Sequence, residues 1–478
     1  MSVKIEGRKI LDSGQWQRDD AVIEVRDPQD NSLIDVVRAA TKEEIETIVE
    51  VAKEGAAIAA SLSTFQRIEI LRKAAESIRN EAESFAVMIA REGSKTIREA
   101  RKEVQRCVQT IELSAEEARR LQGETISFDQ SPSGEHRTGY FYRTPVGIVV
   151  AITPFNDPLN LVAHKVGPAI AAGNSVIVKP ATVTPLSSLM LARVFYEAGL
   201  PEKILTVVTG FARDIGEALV AHPAVRVVSF TGGPSAGEQI TRQAGLKKIG
   251  MELGSNSPVI VLADADLKQA IAASIQGAFW AAGQNCLGVQ RIFIEESIYP
   301  EFVKLFTLGT QRLKVGDKLS EETDMGPLIT EQEAIRVESW VNEAVELGAV
   351  IQTGGQRTGA FYQPTVLTNV PLTSKVAQEE VFGPVVSLFP VKDLDAAIDL
   401  ANSVNYGLQA GIFTSNIKNA HHAIRRLQVG GVMINDSSDF RIDAMPFGGV
   451  KGSGIGREGV KFAMEEMTEI KVVCFNME

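Results

Sequence analysis

The sequence predicts an α/β protein, a doubly wound nucleotide-binding parallel sheet followed by a second α/β unit. Three observations carry this. From Val146 onward, short apolar runs alternate with helical segments. The runs are rich in Val and Ile on both faces, as strands buried on both sides of a parallel sheet must be. Several end in glycine or proline turns that lead into the next helix. Residues 1–120 read differently, as largely helical.

A first helix is expected from about Thr41 to Ala60. Between Thr64 and Gly93 the apolar positions Phe65, Ile68, Leu71, Ala75, Ile78, Ala82, Phe85 and Ile89 step by three or four. Arg67, Glu69, Arg72, Lys73 and Glu76 fill the other face, which predicts one long amphipathic helix stopped by Gly93. A third helix is expected from Thr96 to Leu121. After the turn-rich passage ISFDQSPSGEHRTG come VGIVVAIT, LVAHKVGPAIAAG, SVIVKP, LSSLMLARVFYEAG, ILTVVTG, DIGEALVAH and VRVVSFTGG, alternating strand and helix. A second series runs from PVIVLADADL through RIFIEESI, helices over 299–313 and 331–347, VVSLFPV, a helix over 394–402, AGIFTS, a helix over 417–427, and GGVMIND. No repeat of fixed period interrupts it.

The 478 residues suffice for two or three domains, and 44% hydrophobic content with a net charge of −11 describes a soluble globular chain. That charge, without a basic block, disfavours nucleic acid as a partner. No stretch reaches the ~18 apolar residues of a membrane span, and MSVKIEGRKI has no apolar core behind a basic region. A cytoplasmic protein with no membrane partner is expected. Cys107, Cys286 and Cys474 are too far apart for a redox or zinc spacing, and the five histidines form no ligand cluster, so no metal is expected.

Cys286 lies in FWAAGQNCLGVQRIFI between a small-residue helix and a strand, with Gly283 and Gly288 on either side. Such a turn lets a thiol meet a ligand, although a lone cysteine more often reads as core, as Cys107 and Cys474 do. Glu252 in GMELGSNSPVIV stands between Met251 and Leu253 just before a strand. It reads either as a desolvated general base or as a cap. Asn156 in VVAITPFNDPLN follows a strand in a proline-stiffened loop, suited to an oxyanion donor or to turn chemistry alone. Lys179 ends the strand SVIVKP, where open α/β sheets bind ligands. In VVSFTGGPSAGEQI, the backbone near Gly232 and Gly233 and the helix N-terminus after it can hold a pyrophosphate.

Together TPFN, VKP, SFTGG, MELG, GQNC, EEVFGPV and MPFGGVKGSG, in this order along essentially the whole chain, resemble the aldehyde dehydrogenase superfamily. The resemblance is to members such as the non-phosphorylating glyceraldehyde-3-phosphate, lactaldehyde and phosphonoacetaldehyde dehydrogenases. It implies that Cys286 is the nucleophile, Glu252 the base, and Asn156 with the Cys286 N–H the oxyanion hole. The thiolate attacks the aldehyde, the thiohemiacetal gives hydride to NAD(P)+, and water releases the acid from the thioester. For the cofactor the resemblance implies the Thr153, Pro154 and Phe155 loop, Lys179 and Thr182 at the adenosine ribose, Gly232 and Gly233, Glu380 at the nicotinamide ribose, and Phe382 against the nicotinamide.

It also implies a Rossmann-type cofactor domain over 1–122 and 143–254, a catalytic domain over 255–446, and a small β oligomerisation hairpin over 123–142 with the bridging tail 447–478. A homodimer or homotetramer follows. Relatives that prefer NAD often carry Glu where this chain has Thr182, so NADP is expected to be used, alongside NAD; Thr182 otherwise reads as a helix N-cap. Ser255 and Asn256 replace the Gly-Lys common after ELG, and Gly233 replaces a frequent Ser. Arg106 in EVQRC and Arg441 in SSDFRIDAMPFGG match arginines of relatives that act on phosphorylated or phosphonate aldehydes, although Asn285 stands where those have Arg. A small aldehyde with an anionic tail is therefore expected, unless Glu103, Asp439 or Asp443 pairs with the arginines. A neutral hydroxyaldehyde such as lactaldehyde is the alternative. A coenzyme A-acylating enzyme, which typically lacks the Glu base, and a catalytically silent relative are disfavoured by Glu252 and by the full set of site residues.

Overall fold

The computed structural model describes residues 21–478, so the reading of MSVKIEGRKI lies outside the described residues. The described chain opens with an antiparallel strand pair, Val22–Arg26 with Leu33–Arg38, in the stretch that read as largely helical. Four helices follow, Glu44–Ser61, Thr64–Asn80, Ala82–Glu92 and Ile97–Ala118. The single helix expected over 64–93 is broken at Glu81, whose ψ of 16° departs from the helical range. The apolar stripe continues across the break, so periodicity alone does not reveal it. Glu81 instead reaches out to Arg193 at 2.5 Å, which ties the corner to a later helix.

The first sheet has six strands in the order Gly454–Ile455, Lys248–Glu252, Val225–Thr231, Ile148–Ile152, Ser175–Lys179, Leu205–Val207. All pair in parallel except the short Gly454–Ile455. Strand alternation sends Val149 and Ala151 into one apolar cluster and Ile148 and Val150 into another. Both faces are therefore covered by helices, the arrangement that Val- and Ile-rich runs require. The order in which strands are added reverses between Ile148–Ile152 and Val225–Thr231. The loop bearing Asn156 and the turn bearing Gly232 thus flank the crevice at this switch point.

The second sheet has seven strands in the order Val350–Thr353, Thr365–Thr368, Val385–Val391, Val289–Glu295, Ser257–Val261, Gln409–Phe413, Gly431–Ile434. Only the first pair is antiparallel. A three-stranded antiparallel sheet joins Glu124–Ile126, Arg137–Pro145 and Thr468–Asn476. Among the described residues no helix is long and apolar enough to cross a membrane. Glu252 ends a strand of the first sheet, whereas Cys286, Glu380 and Phe382 precede strands of the second. The site forms where the carboxyl edge of one sheet meets the amino edge of the other.

Candidate active site

Cys286 is delivered by a turn under strain. Ala281, Ala282 and Gly283 have φ of 50°, 56° and 72°, and the left-handed region costs each alanine on the order of 1–2 kcal/mol. Surrounding bonds hold it. Glu99 Oε1 accepts from the Ala281 N–H at 2.8 Å, and Gln284 Nε2 donates to the Ala281 carbonyl at 2.9 Å. A Cβ on Gly283 would lie 2.2 Å from the Gly383 carbonyl oxygen, so only glycine lets this turn touch the loop that carries Glu380.

The half-buried Cys286 packs against Leu287, Leu408 and Phe447. Burial, then the nearby Glu380 charge, push its thiol up to about 12, while Arg441 opposes them. Glu252 is buried and its Oε2 has no hydrogen-bond partner. Burial and the charge of Glu458 hold its carboxyl well above the usual range, against Arg441 and Lys165. Glu458 behaves oppositely. Burial disfavours its charge, but Lys165 at 2.9 Å, His164 and Arg441 outweigh this and hold it low.

Asn156 is half-buried, and its loop is pinned at several points. Glu103 Oε1 accepts from the N–H groups of Leu159 and Asn160 at 2.8 and 3.0 Å, and Lys95 binds both Glu103 and Asp157. Phe155 meets Phe382 edge to face at 5.7 Å between ring centroids. Phe382 itself has φ of 47°. Thr153 N–H donates to the Lys179 carbonyl at 3.2 Å, which sets the Thr153 loop beside Lys179 at the carboxyl ends of adjacent strands.

Lys179 is buried, and this brings its ammonium down to about 8. Its Nζ donates to the Pro180 carbonyl at 2.8 Å and lies 3.4 Å from Thr182 Oγ1. Thr182 is not the helix N-cap that its sequence context also allowed. It donates to the Gly210 carbonyl at 3.3 Å, and the following helix, Leu186–Glu197, is capped by Glu92, which accepts from Leu186 and Ser187 at 2.7 and 2.8 Å. The expectation for Gly232 needs correcting, because its N–H donates to the Glu252 carbonyl at 3.0 Å. Gly233, where an added Cβ would meet nothing within 4 Å, and the N-terminus of Pro234–Ala244 remain open to a phosphate. Glu380 lies over Gly254, where a Cβ would sit 2.3 Å from its Oε2, and it accepts from Ser255 N–H at 2.8 Å. Burial pushes it up to about 7.

Ser255 and Asn256 are also accounted for. Ser255 bonds the Ser257 hydroxyl at 3.0 Å, and Asn256 Nδ2 donates to the carbonyls of Ala377 and Glu379 at 3.0 and 3.1 Å. Both thus fasten the Glu380 loop to the strand after Glu252.

The two arginines are not free charges. Arg106 Nη2 donates to Asp443 at 2.7 Å, and its Nη1 approaches Asp157 at 3.7 Å. Arg441 Nη2 donates to Glu458 at 3.3 Å, and its guanidinium stacks on Phe447 at 3.7 Å. Asp443, one of the acids named as a possible partner, does pair with Arg106, and Glu458 pairs with Arg441, so the arginine charges by themselves give no ground for an anionic tail. Arg441 Nε alone is buried without an acceptor. Asp443 also accepts from His164 Nε2 at 2.8 Å, and although burial disfavours its charge, His164 and Arg106 keep its carboxyl well below the ordinary range. Sequence reasoning missed His164, Lys165 and Glu458. A His-Lys pair inside the apolar run LVAHKVGPAI was the available signal.

Buried Glu252 lies close enough to Cys286 to oppose its ionisation, and Asn156 stands on the loop after the switch-point strand, an arrangement suited to a cysteine-dependent dehydrogenase. The chain belongs to the aldehyde dehydrogenase family, whose sequence profile matches residues 16–473, and it is an NAD(P)+-dependent aldehyde dehydrogenase. It is 51% identical to aspartate-semialdehyde dehydrogenase 1 of Pseudomonas canavaninivorans over 95% of this chain and 97% of the relative. It is 46% identical to 3-sulfolactaldehyde dehydrogenase of Priestia aryabhattai over 97% of each. Among solved structures, a glyceraldehyde-3-phosphate dehydrogenase of Methanocaldococcus jannaschii complexed with NADP superposes with a TM-score of 0.92 at 39% identity, covering 96% of this chain and 100% of the other.

Proposed function

We propose that this enzyme oxidises a small aldehyde with an anionic tail to the carboxylic acid. Cys286 attacks the carbonyl as thiolate, and the Asn156 amide with the Cys286 N–H stabilises the resulting oxyanion. Bound NAD(P)+ supplies the hydride acceptor for the thiohemiacetal. Glu252 then takes a proton from water as it attacks the thioester, releasing the acid and regenerating the thiol. The unpartnered Oε2 of Glu252, buried where Cys286 feels its charge, is the observation that carries this role.

The anionic tail is supported by the semialdehyde and sulfolactaldehyde relatives and by Arg441 Nε, a buried donor awaiting an acceptor. The cofactor residues fit the group: Lys179 and Thr182 lie together without a carboxylate to repel a 2'-phosphate, so NADP+ is used alongside NAD+, in keeping with the NADP-bound neighbour. The cofactor domain spans 1–122 and 143–254, the catalytic domain 255–446, and oligomerisation uses 123–142 with 447–478. Exposed Tyr140, Tyr142, Ile470, Val472 and Phe475 on the three-stranded sheet support a homodimer or homotetramer. A cytoplasmic setting completes the reading. NAD(P)H formation from succinate semialdehyde and 3-sulfolactaldehyde, compared with propanal and benzaldehyde, tests it. The anionic substrates should lead by about tenfold or more in kcat/KM, and preference for either neutral aldehyde would refute the anionic tail.

A further inference from the structure

The charges beside the nucleophile do not cancel. Arg106 is matched by Asp443 and Arg441 by Glu458, while Lys95 serves Glu103 and Asp157. Of the carboxylates here that lack an ion pair, Glu252, Glu380 and Glu99 already have places as base, cofactor contact and turn anchor, and Asp439 is left over. Its carboxylate accepts from the side chain of Asn285, the residue before Cys286, and among the described residues it has no ion-pair partner. Its Cβ is held against the helix at Gly277, where an added Cβ would lie 3.0 Å away. Asp439, Asn285 and Cys286 are all half-buried. Burial pushes the Asp439 carboxyl up to about 7, and Arg106 only partly offsets this. A cation arriving there would relieve that cost, whereas an anion alone would add to it.

We propose that the substrate's tail is zwitterionic, its carboxylate directed to the unpartnered Nε of Arg441 and its ammonium to Asp439, so that Asp439 selects amino acid semialdehydes. This rests on the anionic-tail reading and narrows it. A hydroxyl in place of the ammonium would satisfy one hydrogen bond of Asp439 but leave its charge unmatched.

Aspartate 4-semialdehyde and succinate semialdehyde differ only in that ammonium. Wild-type enzyme should prefer the former by about tenfold or more in kcat/KM. Asp439→Asn keeps an acceptor for Asn285 and removes the charge. It should erase the preference while changing succinate semialdehyde turnover less than about threefold. Equal loss on both substrates would mark Asp439 as merely structural, and a wild type indifferent to the ammonium, or favouring 3-sulfolactaldehyde, would overturn the proposal. If succinate semialdehyde outruns both aspartate semialdehyde and propanal, only the zwitterion falls. If propanal outruns every anionic aldehyde, the anionic-tail reading falls with it.

Discussion

The carboxylate of Glu99 joins two distant backbones: Oε1 accepts from Ala281 N–H and Oε2 from Thr96 N–H, each at 2.8 Å. The capping box that starts the helix Ile97–Ala118 therefore also anchors the left-handed turn before Cys286. Glu99→Ala leaves both amides without their acceptor. A buried unsatisfied amide costs about 1–3 kcal/mol, so the urea midpoint should fall and kcat should fall with it. Glu99→Gln, which keeps one acceptor oxygen, should lose less. A wild-type kcat in Glu99→Ala would show that the turn holds itself.

Cys286→Ala should abolish turnover while NADP+ still binds, since only the covalent step needs the thiol. Glu252→Gln should give a single burst of NAD(P)H followed by slow deacylation. An unchanged steady-state rate in Glu252→Gln would remove it as the base.

The thiol of Cys286, pushed up to about 12, ties its reactivity to pH. Below that value the thiolate fraction rises tenfold per pH unit. Iodoacetamide labelling of Cys286 in cofactor-free enzyme, followed by peptide mass spectrometry, should therefore accelerate about tenfold per unit from pH 7 to 10. A plateau below pH 9 would contradict the environment described for the thiol.

Arg441 lowers the Glu252 carboxyl and also bonds Glu458. Arg441→Leu should thus raise the pKa of Glu252 further and shift the alkaline rise of deacylation to higher pH, even with propanal. A change confined to KM for charged aldehydes would separate Arg441 from the base.

Thr182→Glu places a carboxylate near Lys179. It should lower kcat/KM for NADP+ by about tenfold or more while sparing NAD+. Equal effects on both cofactors would place the 2'-phosphate elsewhere.

The candidate site residues could be picked out in the sequence because they sit at ends of strands that announce themselves. Glu252 and Lys179 end apolar runs, Asn156 follows one, and Cys286 precedes another. The helices over 331–347, 394–402 and 417–427 matched Glu331–Glu346, Leu394–Asn402 and Ile417–Arg426, since periodicity and caps are local. The break at Glu81 was hidden because the apolar stripe runs on across it, and the pair Val22–Arg26 and Leu33–Arg38 was too short to stand out.

By itself the sequence determined the alternation of strands and helices, the two parallel sheets and the chemical types at their edges, because side-chain period and turn chemistry act within a few residues. The tertiary structure alone decided which charges cancel. Arg106 meets Asp443 across 337 positions, and Gly232 gives its N–H to Glu252 although both had been read as working groups. Ion pairing follows distance in space and desolvation follows packing. Neither is written in the neighbouring residues, so only the folded chain shows that Asp439, unlike Asp443 and Glu458, has no cationic partner among the described residues.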